Sequence, residues 1–131
     1  MMAKKYPKMI HNLVIISGNY KVNGIKRWFR EIIKFSIILL CPFVKYFKSV
    51  KIQKWKFDLM LNDICISEND LNQIIKPTLV LGAENDLIYE KHTFDIHRNI
   101  KGSRLEIIKK TNHFNILSNI ETISIIDEFL N

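Results

Sequence analysis

Two apolar runs constrain the fold of this chain more than any other feature: residues 13–17 (LVIIS) and residues 78–82 (TLVLG). Each is short, rich in aliphatic side chains and closed by a glycine-containing turn, which reads as a β-strand. Neither alternates with polar residues, so cover on both faces is expected. A third run, residues 104–109 (RLEIIK), reads as another strand. Between and after the runs the period changes. Residues 89–100 place Phe94, Ile96 and Ile100 at mixed helical spacings, and residues 120–130 set Ile123, Ile126 and Leu130 along one face with Ile125 and Phe129 beside it. Strands that alternate with helices predict an α/β fold with a parallel three-stranded sheet and flanking helices. A length of 131 residues, 47% hydrophobic and 25% charged, fits one globular domain.

Residues 24–50 stand apart as a long, basic, aromatic-rich helical insertion between the first two strands, expected as two helices with a break at Pro42. The charge is concentrated there and before it. Residues 1–57 carry 13 Lys or Arg against the single acid Glu31, a net of +12; residues 58–131 carry 7 against 12, a net of −5, giving +7 in all. Such a basic half suits a non-catalytic binding protein that offers its helical segment to an anionic membrane surface or partner, the alternative to an enzyme. Equally, 16 of the 20 basic residues are Lys in a chain also heavy in Ile and Asn, a bias that can follow genome composition alone. No helix-turn-helix, zinc or RNA-binding signature accompanies the charge, so nucleic acid is not expected as a partner. The longest apolar stretch, residues 35–44 (FSIILLCPFV), is bounded by Lys34 and Lys45 and broken by Pro42. A membrane-spanning helix needs about 20 residues, so no transmembrane segment is expected. Cys41 and Cys65 match no paired metal-ligand spacing and the opening MMAKKYPK is not a cleavable signal, which favours a reducing cytoplasm.

The polar residues that follow the second and third strands carry the chemistry. In a parallel sheet the functional loops lie beyond the carboxyl ends of the strands. Asp86, just past TLVLGAEN, and His113, just past RLEIIKKTN, should emerge at one edge. If their strands are neighbours, the two ends lie about 4.8 Å apart. A carboxylate at that distance can receive a hydrogen bond from the imidazole and fix the tautomer of a histidine acting as general base. Read singly, Asp86 is a turn acid and His113 a surface or capping residue.

Taken in order, these pieces resemble the C-terminal half of an α/β-hydrolase. Residues 3–7 (AKKYP) and LVIIS are similar to the end of the helix after the nucleophile and the next strand, and the helical insertion, about residues 24–57, falls where that family carries its lid. Residues 70–88 (DLNQIIKPTLVLGAENDLI) resemble the strand that ends in the triad acid, residues 103–114 (SRLEIIKKTNHF) the strand that ends in the triad histidine, and IIDEFL the terminal helix. Asn112 replaces the small residue often found before the histidine, and the glycine sits one place early relative to the acid. The resemblance implies a single partial α/β-hydrolase domain over residues 1–131. It further implies Asp86 as orienter, His113 as general base and acid, no cofactor or metal, and a small-molecule ester or related acyl substrate.

One part of the family pattern is missing. The nucleophile serine sits in G-x-S-x-G on a strained strand-to-helix turn, and none of Gly18, Gly24, Gly82 and Gly102 flanks a serine at that spacing. Ser17, before Gly18, is the nearest imitation, but the resemblance puts it at the end of the strand after the nucleophile. The oxyanion-hole donors go with the missing serine. The chain is therefore expected to be the later portion of an enzyme, beginning at methionines that fall inside the nucleophile helix, inactive by itself and prone to self-association through an open sheet edge.

The remaining polar and aromatic candidates have plainer readings. Glu84 and Asn85 read as turn formers. His92 and His97, five apart on a helix, face different sides and read as surface residues rather than metal ligands with Asp95; His11 reads as a loop residue. Cys41 has no histidine near it in sequence and reads as packing, as do Trp28, Phe29, Phe35, Phe43, Tyr46, Phe47, Trp55 and Phe57, although a lid of this composition would suit an apolar acyl group.

Overall fold

A computed structural model describes residues 2–131; Met1, the first of the two opening methionines, lies outside the described residues. The elements follow in the order α1 (Met2–Lys5), β1 (Leu13–Ile16), α2 (Arg27–Leu40), α3 (Lys48–Met60), α4 (Glu68–Asn72), β2 (Thr78–Asn85), α5 (Glu90–Asn99), β3 (Arg104–Asn112) and α6 (Ile120–Leu130). All three strands are parallel in the order β1-β2-β3, with Leu13 opposite Thr78 and Leu79 opposite Arg104.

Alternate residues of β2 feed two separate cores, as the two-residue period of a strand requires. Val80 packs with Tyr20, Leu71, Ile74, Ile96 and Ile100 on the face covered by α4 and α5. Leu79, Leu81 and Ala83 pack with Ile108 and Ile116 on the other face, against Ile125, Ile126 and Phe129 of α6. Close approach of α5 needs Gly82, because a Cβ there would stand 3.2 Å from Thr93 Cγ2 and 2.9 Å from Ile107 Cδ1. Helix α6 starts where Asn119 Oδ1 accepts from the backbone N–H of Glu121 and Thr122, the N-cap role that Asn favours.

Cover on both faces holds for β2, whose first six residues are buried, but not for β1, whose four residues are all only half-buried. Among the described residues β1 pairs on one edge alone, and an edge strand lacks the neighbour whose side chains would complete its cover. Strands β2 and β3 each run three residues past the expected Gly82 and Lys109. There the register slips, from Ala83 opposite Ile108 to Asn85 opposite Asn112. Lys110 adopts φ 55° within this bulge, and its N–H donates to the Glu84 carboxylate at 2.8 Å. Glu84 and Asn85 thus end a strand instead of forming a turn.

The helical insertion breaks where Pro42 requires it, in a 3-10 turn over Cys41–Phe43, but α3 continues to Met60, beyond the expected end at residue 50. Its base is tied to the loop after β2. Ile25 and Ile88 form an antiparallel bridge, Lys26 N–H donates to Leu87 O at 2.9 Å, and Tyr89 N–H donates to Gly24 O at 2.8 Å. Gly24 is needed at this crossing, since a Cβ would lie 2.3 Å from Asn19 Oδ1 and 2.5 Å from His92 Cδ2.

The open edge of β1 and the exposed apolar residues Trp28, Phe35, Leu39 and Phe114 lead to a solution expectation. The 131-residue chain should elute above its monomer mass in size-exclusion chromatography with light scattering at micromolar concentration, because an unpaired apolar edge templates association. A cooperatively unfolding monomer would show instead that three strands close their own core.

Candidate active site

The carboxyl ends of all three strands converge on Asp86. Asp86 is 5% exposed and directly follows β2, the strand that is buried on both faces. Oδ1 accepts from His113 Nδ1 at 2.7 Å and from Ile88 N–H at 3.2 Å; Oδ2 accepts from the Ser17 hydroxyl and from Ala83 N–H at 3.4 Å. The contact to Ile88, two residues on, is the local turn that Asp side chains favour. Ser17 follows β1, Asp86 follows β2 and His113 follows β3, so the sheet order places the three side chains.

Burial alone would raise the Asp86 pKa. Hydrogen bonds from His113, Ser17 and the Ile88 backbone outweigh it and hold the group at about 2, below the ordinary value of 3.8. An ionised carboxylate only accepts, so His113 Nδ1 must carry the proton, which in the neutral imidazole leaves the lone pair on Nε2. The loop that holds His113 is stiffened by Asn112 and Asn115: Asn112 N–H donates to Asn115 Oδ1 at 2.6 Å, and Asn112 Oδ1 accepts from Phe114 N–H at 2.9 Å. Asn112 therefore has a structural use that the usual small residue would not supply.

His113 and Ser17 share a cleft of about 270 Å³ whose walls include Ile25, Leu59, Met60, Ile64 and Ile88. The polar pair thus stands at the edge of an apolar space roofed by the end of α3.

Of the sequence-derived site residues, Asp86 and His113 meet directly. Sequence reasoning missed Ser17 as their partner, although it had placed Ser17 at a strand end. A φ of 46° at a non-glycine residue followed by Gly18 reveals the sharp turn that aims the hydroxyl at Asp86. His92 is not a surface residue. It is 7% exposed, stacked on Tyr20 with ring centroids 4.6 Å apart, and its Nε2 accepts from Tyr20 N–H at 3.3 Å. Burial pushes its pKa down, Lys21 acts in the same direction and Asp95 opposes them. His97 is half-buried, with Nδ1 2.8 Å from Ser103 Oγ, and His11 is exposed. Cys41 and Cys65 are both exposed. Among the described residues no three His, Cys, Asp or Glu side chains gather as metal ligands would, and no helix is long and apolar enough to cross a membrane.

Compared as a sequence, the chain matches no protein-family model and no curated protein. Compared as a structure, it is similar to α/β-hydrolases over nearly its whole length. An α/β hydrolase enzyme from a Medee basin deep-sea metagenome library superposes with a TM-score of 0.67 at 17% identity, covering 98% of this chain and 58% of that one. The enol-lactonase of Burkholderia xenovorans gives 0.65 at 12% identity, covering 98% and 59%, and a carboxylesterase of Bacillus subtilis gives 0.65 at 13%, covering 97% and 53%. The fold is thus α/β-hydrolase-like, and the chain spans little more than half the length of those enzymes.

The hydrogen bonds to Asp86 predict its titration. Followed by carboxyl carbon NMR, Asp86 should titrate near 2 and move up in both His113→Ala and Ser17→Ala. The folded value lies below the unfolded one, so its contribution to stability is full above about pH 3.8 and vanishes as pH falls through about 2. It amounts to about 2 kcal/mol. An ordinary carboxylate midpoint, unchanged in His113→Ala, would show that the pair does not form in solution.

Proposed function

We propose that this chain supplies the general base and its orienting carboxylate to a serine-type α/β-hydrolase acting on an ester or related acyl bond. One observation carries this reading: Asp86 and His113 pair at 2.7 Å beyond the carboxyl ends of adjacent parallel strands, with His113 Nε2 left free. The fold shared with a carboxylesterase and an enol-lactonase supports it. In this reading Nε2 takes the proton of a nucleophile hydroxyl and returns it to the leaving group, while Asp86 holds the tautomer and stabilises the imidazolium. The apolar cleft over His113 receives the acyl group, the helical segment over residues 24–57 acts as its lid, and the enzyme works in the cytoplasm.

Ser17 is not the nucleophile in this scheme. Its hydroxyl donates to Asp86 Oδ2, on the far side of the carboxylate from the imidazole's contact with Oδ1. Activation requires the hydroxyl to donate to the base itself. Serine and oxyanion donors come instead from a polypeptide segment bearing G-x-S-x-G, paired against the open edge of β1.

The test uses the chain alone and together with such a segment, taken from an α/β-hydrolase or from in-frame DNA upstream. The isolated chain should neither hydrolyse a short-chain aryl ester nor be labelled by a fluorophosphonate. The combination should do both, and His113→Ala should lower its kcat by about 10²–10⁴-fold, the usual worth of a general base. Fluorophosphonate labelling of a serine in the isolated chain would overturn the assignment of the nucleophile.

A further inference from the structure

The helical segment carries a surface that, apart from Leu59 in the cleft wall, the hydrolase reading does not use. A groove of about 630 Å³ is lined by Val44, Lys45, Lys48, Lys51, Ile52 and Trp55. On α3, Lys48, Ile52, Trp55 and Leu59 fall at i, i+4, i+7 and i+11 and so form one stripe. That stripe is open: Ile52 is 41% exposed, Trp55 58% and Leu59 68%. Lys51 and Lys56 flank it, and the Lys51 ammonium lies 5.2 Å from the centre of the Trp55 ring. Neighbouring α2 exposes Trp28, Ile32, Phe35 and Leu39 at the same spacing.

The charges that line the groove, Lys45, Lys48 and Lys51, are of one sign. Residues 32–57 hold six lysines and no acid. Lys34 pairs with Glu31 and Lys54 with Asp58. Among the described residues Lys45, Lys48 and Lys51 have no carboxylate partner.

We propose that this face docks on anionic phospholipid membranes. Lysines meet lipid phosphates, the Trp55 ring sits at the headgroup level, and Ile52 beside it meets the acyl boundary. A nucleic acid would satisfy the lysines but would leave the aliphatic side chains in water. A second copy of the same face would set lysine against lysine. The inference goes beyond the hydrolase reading and does not depend on Asp86 or His113.

Flotation of the 131-residue chain with vesicles tests it, because bound protein rises while aggregates sink. The chain should float with phosphatidylcholine vesicles containing phosphatidylglycerol, stay behind with phosphatidylcholine alone, and be released by salt. Each of Lys45→Gln, Lys48→Gln and Lys51→Gln should lower the partition coefficient about fivefold. Lys101→Gln, the same change in an exposed turn elsewhere, should leave it unchanged. In a Trp28→Phe background the emission of Trp55 should shift to the blue on binding. Equal flotation with both vesicle types, flotation with neither, or groove variants that partition like the parent chain would overturn the proposal.

Discussion

A buried carboxylate that accepts hydrogen bonds from every strand end is the interaction on which the rest of this structure depends. Asp86 is ionised at 5% exposure, and a buried charge of that kind is tolerated only when fully hydrogen-bonded. Its donors come from Ser17 after β1, from Ala83 and Ile88 around the end of β2, and from His113 after β3. Loss of any one strand would strip it of a partner. The carboxylate thus ties the sheet's three carboxyl ends together, and the sheet in turn fixes the imidazole.

The same loop positions what lies above. Leu87, Ile88 and Tyr89 directly follow Asp86 and are hydrogen-bonded or bridged to residues 24–26, the root of the helical segment. Both residues of that bridge, Ile25 and Ile88, therefore stand in the cleft wall. His92, one turn further on, accepts from Tyr20 N–H and packs flat on its ring, which fixes the chain between Ser17 and Gly24 from the other side. Few residues separate chemistry from scaffold here, so substitutions at Tyr20 or Gly24 act on the site through geometry.

Much of this was legible in the sequence because the signals were local. Apolar runs without alternation marked the strands, Pro42 marked the helix break, and the strand-end positions of Asp86 and His113 placed them side by side. What stayed hidden depends on pairs distant in sequence. The half-burial of β1 follows from its position at the edge, which no property of LVIIS encodes. The slipped register near Lys110 rests on Glu84, 26 residues away, accepting its N–H. Burial of His92 depends on Tyr20, 72 residues away, and Ser17 reaches Asp86 across 69. A polar residue at a strand end announces its position in a parallel sheet, but not which of several possible partners it takes.

In the proposed reading, base and nucleophile are separable. Every hydrogen bond that orients His113 comes from residues of this chain, so the pair needs no further strand to assume its geometry. His113 nonetheless reaches past β2, since it lines the cleft together with Ser17 at the end of β1. A strand added to the open edge of β1 would end about 4.8 Å beyond Ser17, the spacing of neighbouring strands. In the proposed reading a hydroxyl there would donate to Nε2, leaving the Nδ1 contact with Asp86 in place. Ser17 would then stand between the incoming group and the carboxylate, its own proton committed to Oδ2. Its φ of 46° serves that separation, because the hydroxyl that would otherwise compete for the base is turned onto the acid.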